Sequence, residues 1–308
     1  MHALAGLIVA GPLQAVGLIA LCTVLSFLAP PLTSLLSYVG GAALALYSLQ
    51  VGVRSGLLVL LGAAAATGLL AQVVMHHGAT VVGTAMLLWL PVWIAAGVLR
   101  ATLSLAMAML VLSGTAMLGV LLVYVLFGDP TAWWQQLLQG MVDSVASRPE
   151  FKGATDSLSA FVTQAAPLMT GSLAAGLGFA ALACLLLGRW WQSLLVKPGA
   201  LRIEFYALRL NGALSLAGIA IMALAMLKLG VVSSIAMQWS LIVMVVFLFV
   251  GVAVLHASLA NIKAAKVWLI VAYVLMGLLP QALMLVSVIG LLDPWLDLRR
   301  RTAGAGSN

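Results

Sequence analysis

Apolar residues in this chain come in long unbroken runs, not at the spacing of one buried face. A helix rises 1.5 Å per residue, so about 20 apolar residues cross a bilayer's hydrocarbon. Nine runs of that kind are predicted, at about 10–29, 32–52, 56–75, 79–99, 102–127, 167–188, 211–229, 235–258 and 267–290. Pro30-Pro31 separates the first from the second, and His76-His77-Gly78 the third from the fourth. Between Ala79 and Phe127 only Arg100 interrupts, and a single helix of that length would overshoot any bilayer, so a turn is needed near Arg100. The pattern predicts an all-α polytopic transmembrane helix bundle forming one membrane domain over residues 1–308. The opening MHALAG carries no Lys or Arg, and Pro30 follows Phe27-Leu28-Ala29, so the start reads as a retained first span.

Composition agrees. Hydrophobic residues make up 64% of the chain and charged residues 7%, against roughly 25% charged in a soluble domain. With so few charges, water cannot be the solvent over most of the surface, and lipid takes its place. The net charge of +7 is scattered between runs, which speaks for the positive-inside rule and against nucleic acid.

Two polar segments break the pattern. Residues 128–166 open with Asp129-Pro130, carry Trp133 and Trp134, and hold Asp129, Asp143, Glu150 and Asp156 against Arg148 and Lys152. They read as an extracytoplasmic interfacial loop with two short helices split near Arg148-Pro149, or as a lid over a pocket. Residues 189–210 form a basic elbow with Arg189, Lys197, Arg202, Glu204 and Arg209. With a cytoplasmic N-terminus and nine spans, this elbow, Arg54, Arg100, Lys263 and Lys266 all face the cytoplasm, with Glu204 the sole acid among them. The tail, 291–308, would then carry its arginines outside. A break at Pro280 offers the alternative of eight spans plus a re-entrant C-terminal segment.

If 201–210 is one helix, Arg202 and Arg209 project together, while Glu204 lies about 200° from Arg202. Glu204 would then take a cation from another segment, with Arg100 and Arg54 as candidates. Trp89 and Trp93, four apart beside Pro91, are candidate pocket-wall residues. Ser172, Gly176, Ala180, Cys184 and Gly188 recur every four residues and predict a nearly straight packing stripe. No catalytic, cofactor-binding or metal-binding residues are predicted. The chain lacks GxxxxGK[ST], HExxH and GxSxG, His76 and His77 diverge on a helix, and Cys22 and Cys184 sit inside apolar runs. The reading is not an enzyme.

The string GALRIEFYALRL, the WLPV…LR element and the ending IGLLDPWLDLRRR together resemble the YybS-like bacterial membrane proteins, catalogued as domain of unknown function 2232. The resemblance covers most of the chain, least of all 128–166. It implies the bacterial inner membrane and a helical arrangement similar to that of the vitamin-binding S components of energy-coupling factor transporters. It is more distantly similar to the cell-shape protein MreD. The S components' first-helix small-residue pattern has its counterpart in Gly11 and Ala15. The family carries no established activity. Two functions are therefore expected: a small-molecule-binding permease subunit energised by a cytoplasmic or membrane partner through 188–212, or a non-transporting scaffold that docks a cytoplasmic assembly there. Polar groups converging between spans speak for the first, a uniformly apolar interior for the second.

Overall fold

Each apolar run becomes helix, because in lipid a backbone must satisfy its own hydrogen bonds. A computed structural model describes residues 1–28, 33–146, 155–260, 262, 264–297 and 299. The helices are α1 (His2–Ala10), α2 (Pro12–Leu28), α3 (Leu35–Gln50), α4 (Val53–Met75), α5 (Gly78–Thr102), α6 (Leu105–Phe127), α7 (Thr131–Ala146) and α8 (Thr155–Ala165). After a short 3-10 turn come α9 (Met169–Val196), α10 (Ala200–Tyr206), α11 (Gly212–Met226), α12 (Val231–Leu259), α13 (Ala265–Leu278) and α14 (Pro280–Leu296). The described residues contain no strand.

The turn required near Arg100 falls at Leu103-Ser104. Leu103 takes a left-handed conformation (φ 54°), and the Ser104 hydroxyl caps α6 by accepting from Met107 N–H at 3.3 Å. Asp129 receives the Thr131 N–H at 2.9 Å and starts α7. The predicted split at Arg148-Pro149 lies in residues 147–154, outside the described residues.

Among the described residues, five helices (α4, α5, α6, α9 and α12) are long and apolar enough to cross a membrane, or up to seven if each bent pair counts as one span. The apolar helices α3 and α11, with 16 and 15 residues, are shorter. The predicted ninth span, 267–290, is not one helix. It breaks at Leu279-Pro280 into α13 and α14, bent by 120°, because Pro280 has no N–H and disfavours helix at the residue before it. A second bend of 119° separates α1 from α2 at Gly11, where one span was read from residue 10.

α3 is the central element: every residue from Gly40 to Leu49 is buried, as expected of a helix apolar all round. It crosses α9 at very short range. A Cβ on Gly188 would lie 2.7 Å from Ala45 Cβ and 2.8 Å from Ala42 O, and one on Gly41 would lie 2.6 Å from Cys184 Sγ. Small residues permit such approach, where dispersion replaces a hydrophobic effect that lipid cannot supply. Here the predicted stripe needs correction. Cys184 and Gly188 are buried, Ala180 is half-buried, and Ser172 and Gly176 are exposed, with nothing within 4 Å of a Cβ on Gly176. Steps of four residues overrun a 3.6-residue turn by about 40° each, so four steps wind the stripe about 160° around α9. Its first half faces outward.

α12 and α14 also cross at very short range. A Cβ on Gly251 would overlap the Val286 carbonyl oxygen, and one on Gly290 would overlap that of Phe247.

Candidate functional site

The elbow begins where Gly199 takes φ +87° after Pro198 and reverses the chain. α10 therefore folds back along the last turns of α9. Glu204 meets Arg189, with Nε–Oε2 at 3.0 Å and a second bond from Nη2 to Oε1. The cation that Glu204 takes is thus Arg189, from the adjoining helix, and neither Arg100 nor Arg54. Arg189 also donates to Gln192, whose amide reaches Gln50 at 3.3 Å. Arg100 donates to the Leu49 carbonyl at the open C-terminal end of α3, a position that favours a cation. Arg100, Arg189, Gln192 and Glu204 line one cavity of about 250 Å³. The partners of the Arg189–Glu204 pair keep 22% and 30% of their side-chain surface, so the pair contributes at the low end, about 0–1 kcal/mol.

Arg202 and Arg209 do not project together, because α10 stops at Tyr206. Arg202 stays on α10, its guanidinium 5.2 Å from the Tyr206 ring centroid. Arg209 turns to the end of α14. Its Nε stands 3.6 Å from Asp293 Oδ2, its Nη1 3.4 Å from Asp297 Oδ1, and its Nη2 donates to the Asp293 carbonyl at 3.1 Å. Arg299 completes the cluster, 3.2 Å from Asp293 Oδ2, donating also to the Tyr206 and Leu208 carbonyls. Burial pulls the Arg299 guanidinium below its ordinary pKa, and Asp293 works against that pull. Asp293, Asp297 and Arg299 are therefore fastened to the elbow. The nine-span arrangement puts Asp293 and Asp297 at the end opposite the elbow, whereas here they lie beside Arg209.

Trp89 and Trp93 are packing residues. Trp89 is 1% exposed in a cluster with Ile19, Leu44, Leu46 and Trp191, and Trp93 Nε1 donates to the Val53 carbonyl at 2.9 Å. Leu87 and Pro91, two residues out of phase with this pair and so on the other side of α5, line a cavity of about 310 Å³ against α6 and α9. Compared with protein-family models, characterised proteins and solved structures, the chain matches none. What it can do rests on its own geometry.

That geometry includes two groups the sequence reading missed. Gln238, 1% exposed inside α12, accepts from Gly171 N–H and donates to the Pro167 carbonyl and, at 3.4 Å, to Tyr124 Oη. An amide in the middle of an apolar run was the available signal. Asp293 is fully buried, although DPWLDLRRR reads as a water-facing tail. No group of three or more His, Cys, Asp and Glu side chains converges as a metal site among the described residues.

Proposed function

We propose that this chain is a small-molecule-binding subunit of a bacterial inner-membrane permease, similar in role to an S component, and that its ligand is apolar or amphipathic. The observation that carries this is the cavity of about 310 Å³ between α5, α6 and α9, at the small end of ligand sites of roughly 300–1,000 Å³. Among its lining residues only Thr115 and Thr170 have polar side chains. Both hydroxyls are engaged, Thr115 donating to the Leu112 carbonyl at 2.8 Å and Thr170 accepting from Trp134 Nε1 at 2.8 Å. A water-soluble vitamin would need convergent free polar groups. Leu87 and Leu173 at the rim are 53% and 49% exposed, so the ligand enters from the bilayer. Gly119 lines the cavity, with nothing within 4 Å of a Cβ there. Gly119→Phe fills it. The expected outcome is loss of the small molecule that co-purifies with the wild type, read by mass spectrometry, at an unchanged melting temperature. A wild type that carries no small molecule removes this reading.

The scaffold reading draws on a different observation: Ile203, beside Arg202 on α10, is 69% exposed. An apolar side chain next to an arginine on a short exposed helix suits a cytoplasmic protein partner. The apolar cavity wall also counts on its side.

In either role the chain is proposed to sit with its basic end in the cytoplasm. Arg54, Arg100, Arg189, Lys197, Arg202, Arg209, Lys266 and Arg299 share that end with α1, whose Ala5 and Ile8 pack with Trp191. Asp129, Asp143 and Asp156 lie at the other, with Lys228 its one Lys or Arg among the described residues. Eight crossings plus the bent α13–α14 pair follow. Single cysteines replacing Arg54, Lys197 or Leu296, in a background without Cys22 and Cys184, should resist an impermeant thiol reagent in intact cells, and one at Asp156 should react. External labelling at position 296 would restore nine full spans.

A further inference from the structure

Arg202, Tyr206, His256 and Lys266 border a cavity of about 570 Å³ at the basic end, where α10, the last turns of α12 and the first turn of α13 meet. The rest of its wall is apolar, with Leu259, Val267 and Leu269. Its two cations come from different helices, and among the described residues neither has a carboxylate partner. The described acids at this end are already held, Glu204 by Arg189, and Asp293 and Asp297 by Arg209. Arg100, Arg189, Arg209 and Arg299 are likewise fastened to carbonyls or carboxylates. Arg202 and Lys266, two of the cations at this end that face no described carboxylate, thus share one cavity, while Arg54, Arg100 and Lys197 lie elsewhere.

A second observation concerns α13. None of its 14 residues is buried. Val267, Ile270, Val274 and Leu278 are 60%, 62%, 51% and 72% exposed. At spacings of three and four residues they form one apolar face that starts next to Lys266 and runs into the membrane. Tyr206 and His256 fix the polar rim, with His256 Nε2 2.9 Å from Tyr273 Oη and the His256 and Tyr206 ring centroids 6.1 Å apart.

We propose that this cavity is a binding site for an anionic phospholipid, with the phosphate between Arg202 and Lys266 and an acyl chain along the exposed face of α13. The charge pair calls for a phosphate-bearing anion. The apolar track beginning beside it selects the lipid-borne form, because a soluble acidic protein segment cannot follow α13 into hydrocarbon. A juxtamembrane cation adds about 1 kcal/mol of attraction to anionic lipid, so each should contribute a preference of about five-fold.

Delipidated full-length protein, titrated with phosphatidylglycerol or phosphatidylcholine and read by native mass spectrometry, tests the site. The wild type should bind phosphatidylglycerol preferentially. Arg202→Gln with Lys266→Gln should lower that preference by roughly thirty-fold. Arg202→Lys with Lys266→Arg keeps both charges and should retain most of it, and Arg54→Gln, elsewhere on the same end, should leave it intact. Arg202 and Lys266 are exposed, so the doubly neutralised chain should melt like the wild type; should it not, the two single variants carry the test. Equal binding of the two lipids by the wild type overturns the proposal. So does an unaltered preference in the Gln variants, which would return both cations to a protein partner. Displacement by inorganic phosphate as effective as by phosphatidylglycerol would make this a free-anion site and overturn the lipid assignment.

Discussion

Asp293→Asn is expected to lower stability by about 3–5 kcal/mol, because breaking a buried ion pair leaves the remaining charge uncompensated. Asp293 is fully buried and faces two arginines, at 3.2 Å to Arg299 and 3.6 Å to Arg209. Asn keeps the shape and removes the charge that holds both. Its loss also loosens the end of α14 on the elbow, leaving the carbonyl bonds of Arg209 and Arg299 and the Arg209–Asp297 contact to hold the two together. Asp297 is 32% exposed, so Asp297→Asn should cost only about 0–1 kcal/mol. A double-mutant cycle provides the second check. Asp293→Asn combined with Arg299→Gln should cost clearly less than the two single losses added together, as residues of one network couple. Thermal melting of Asp293→Asn equal to that of wild type would remove the ionic fastening from this account.

Gly251→Ala should also be strongly damaging, although it adds a single methyl group. The obstacle is the Val286 backbone, which cannot rotate away as a side chain can. α12 and α14 must move apart, and with them the reciprocal contact of Gly290 on Phe247. Overpacking typically costs 1–3 kcal/mol and sometimes more; a backbone obstacle belongs at the upper end. Gly176→Leu, a much larger change, should melt like wild type because its position opens outward. Both variants can be followed by fluorescence-detected size exclusion after heating. Should Gly251→Ala prove as stable as wild type, the close crossing of α12 and α14 is wrong.

Helix in the apolar runs was legible because its signal is local: an apolar run of sufficient length becomes helix in lipid whatever its neighbours are. The break at Pro280 was legible for the same reason, since proline acts on its own backbone. Facing directions were not. The repeat from Ser172 to Gly188 looks uniform in sequence, and only its winding around α9 separates the packed Gly188 from the outward Gly176. Partner choice was not legible either. That Glu204 needs a cation follows from its position, but that the cation is Arg189 depends on Gly199 folding α10 back along α9. Asp293 misled most. Its DPWLDLRRR setting is as polar as any stretch of the chain, and one of the two arginines it faces in the fold, Arg209, is distant in sequence.

The bend between α13 and α14 bears on how the chain is made. α13 has 14 residues, about 21 Å of helix, against roughly 30 Å of hydrocarbon. The 120° bend at its end turns the chain back, so in the proposed arrangement α13 is not a finished crossing by itself. It has to wait for α14, and α14 needs the groove on α12 at Gly251 and the arginine at position 209, both synthesised earlier. α14 is thus received by a site already built. A nascent chain stopped after Met276 would present an unfilled groove at Gly251 and an Arg209 without Asp293 and Asp297.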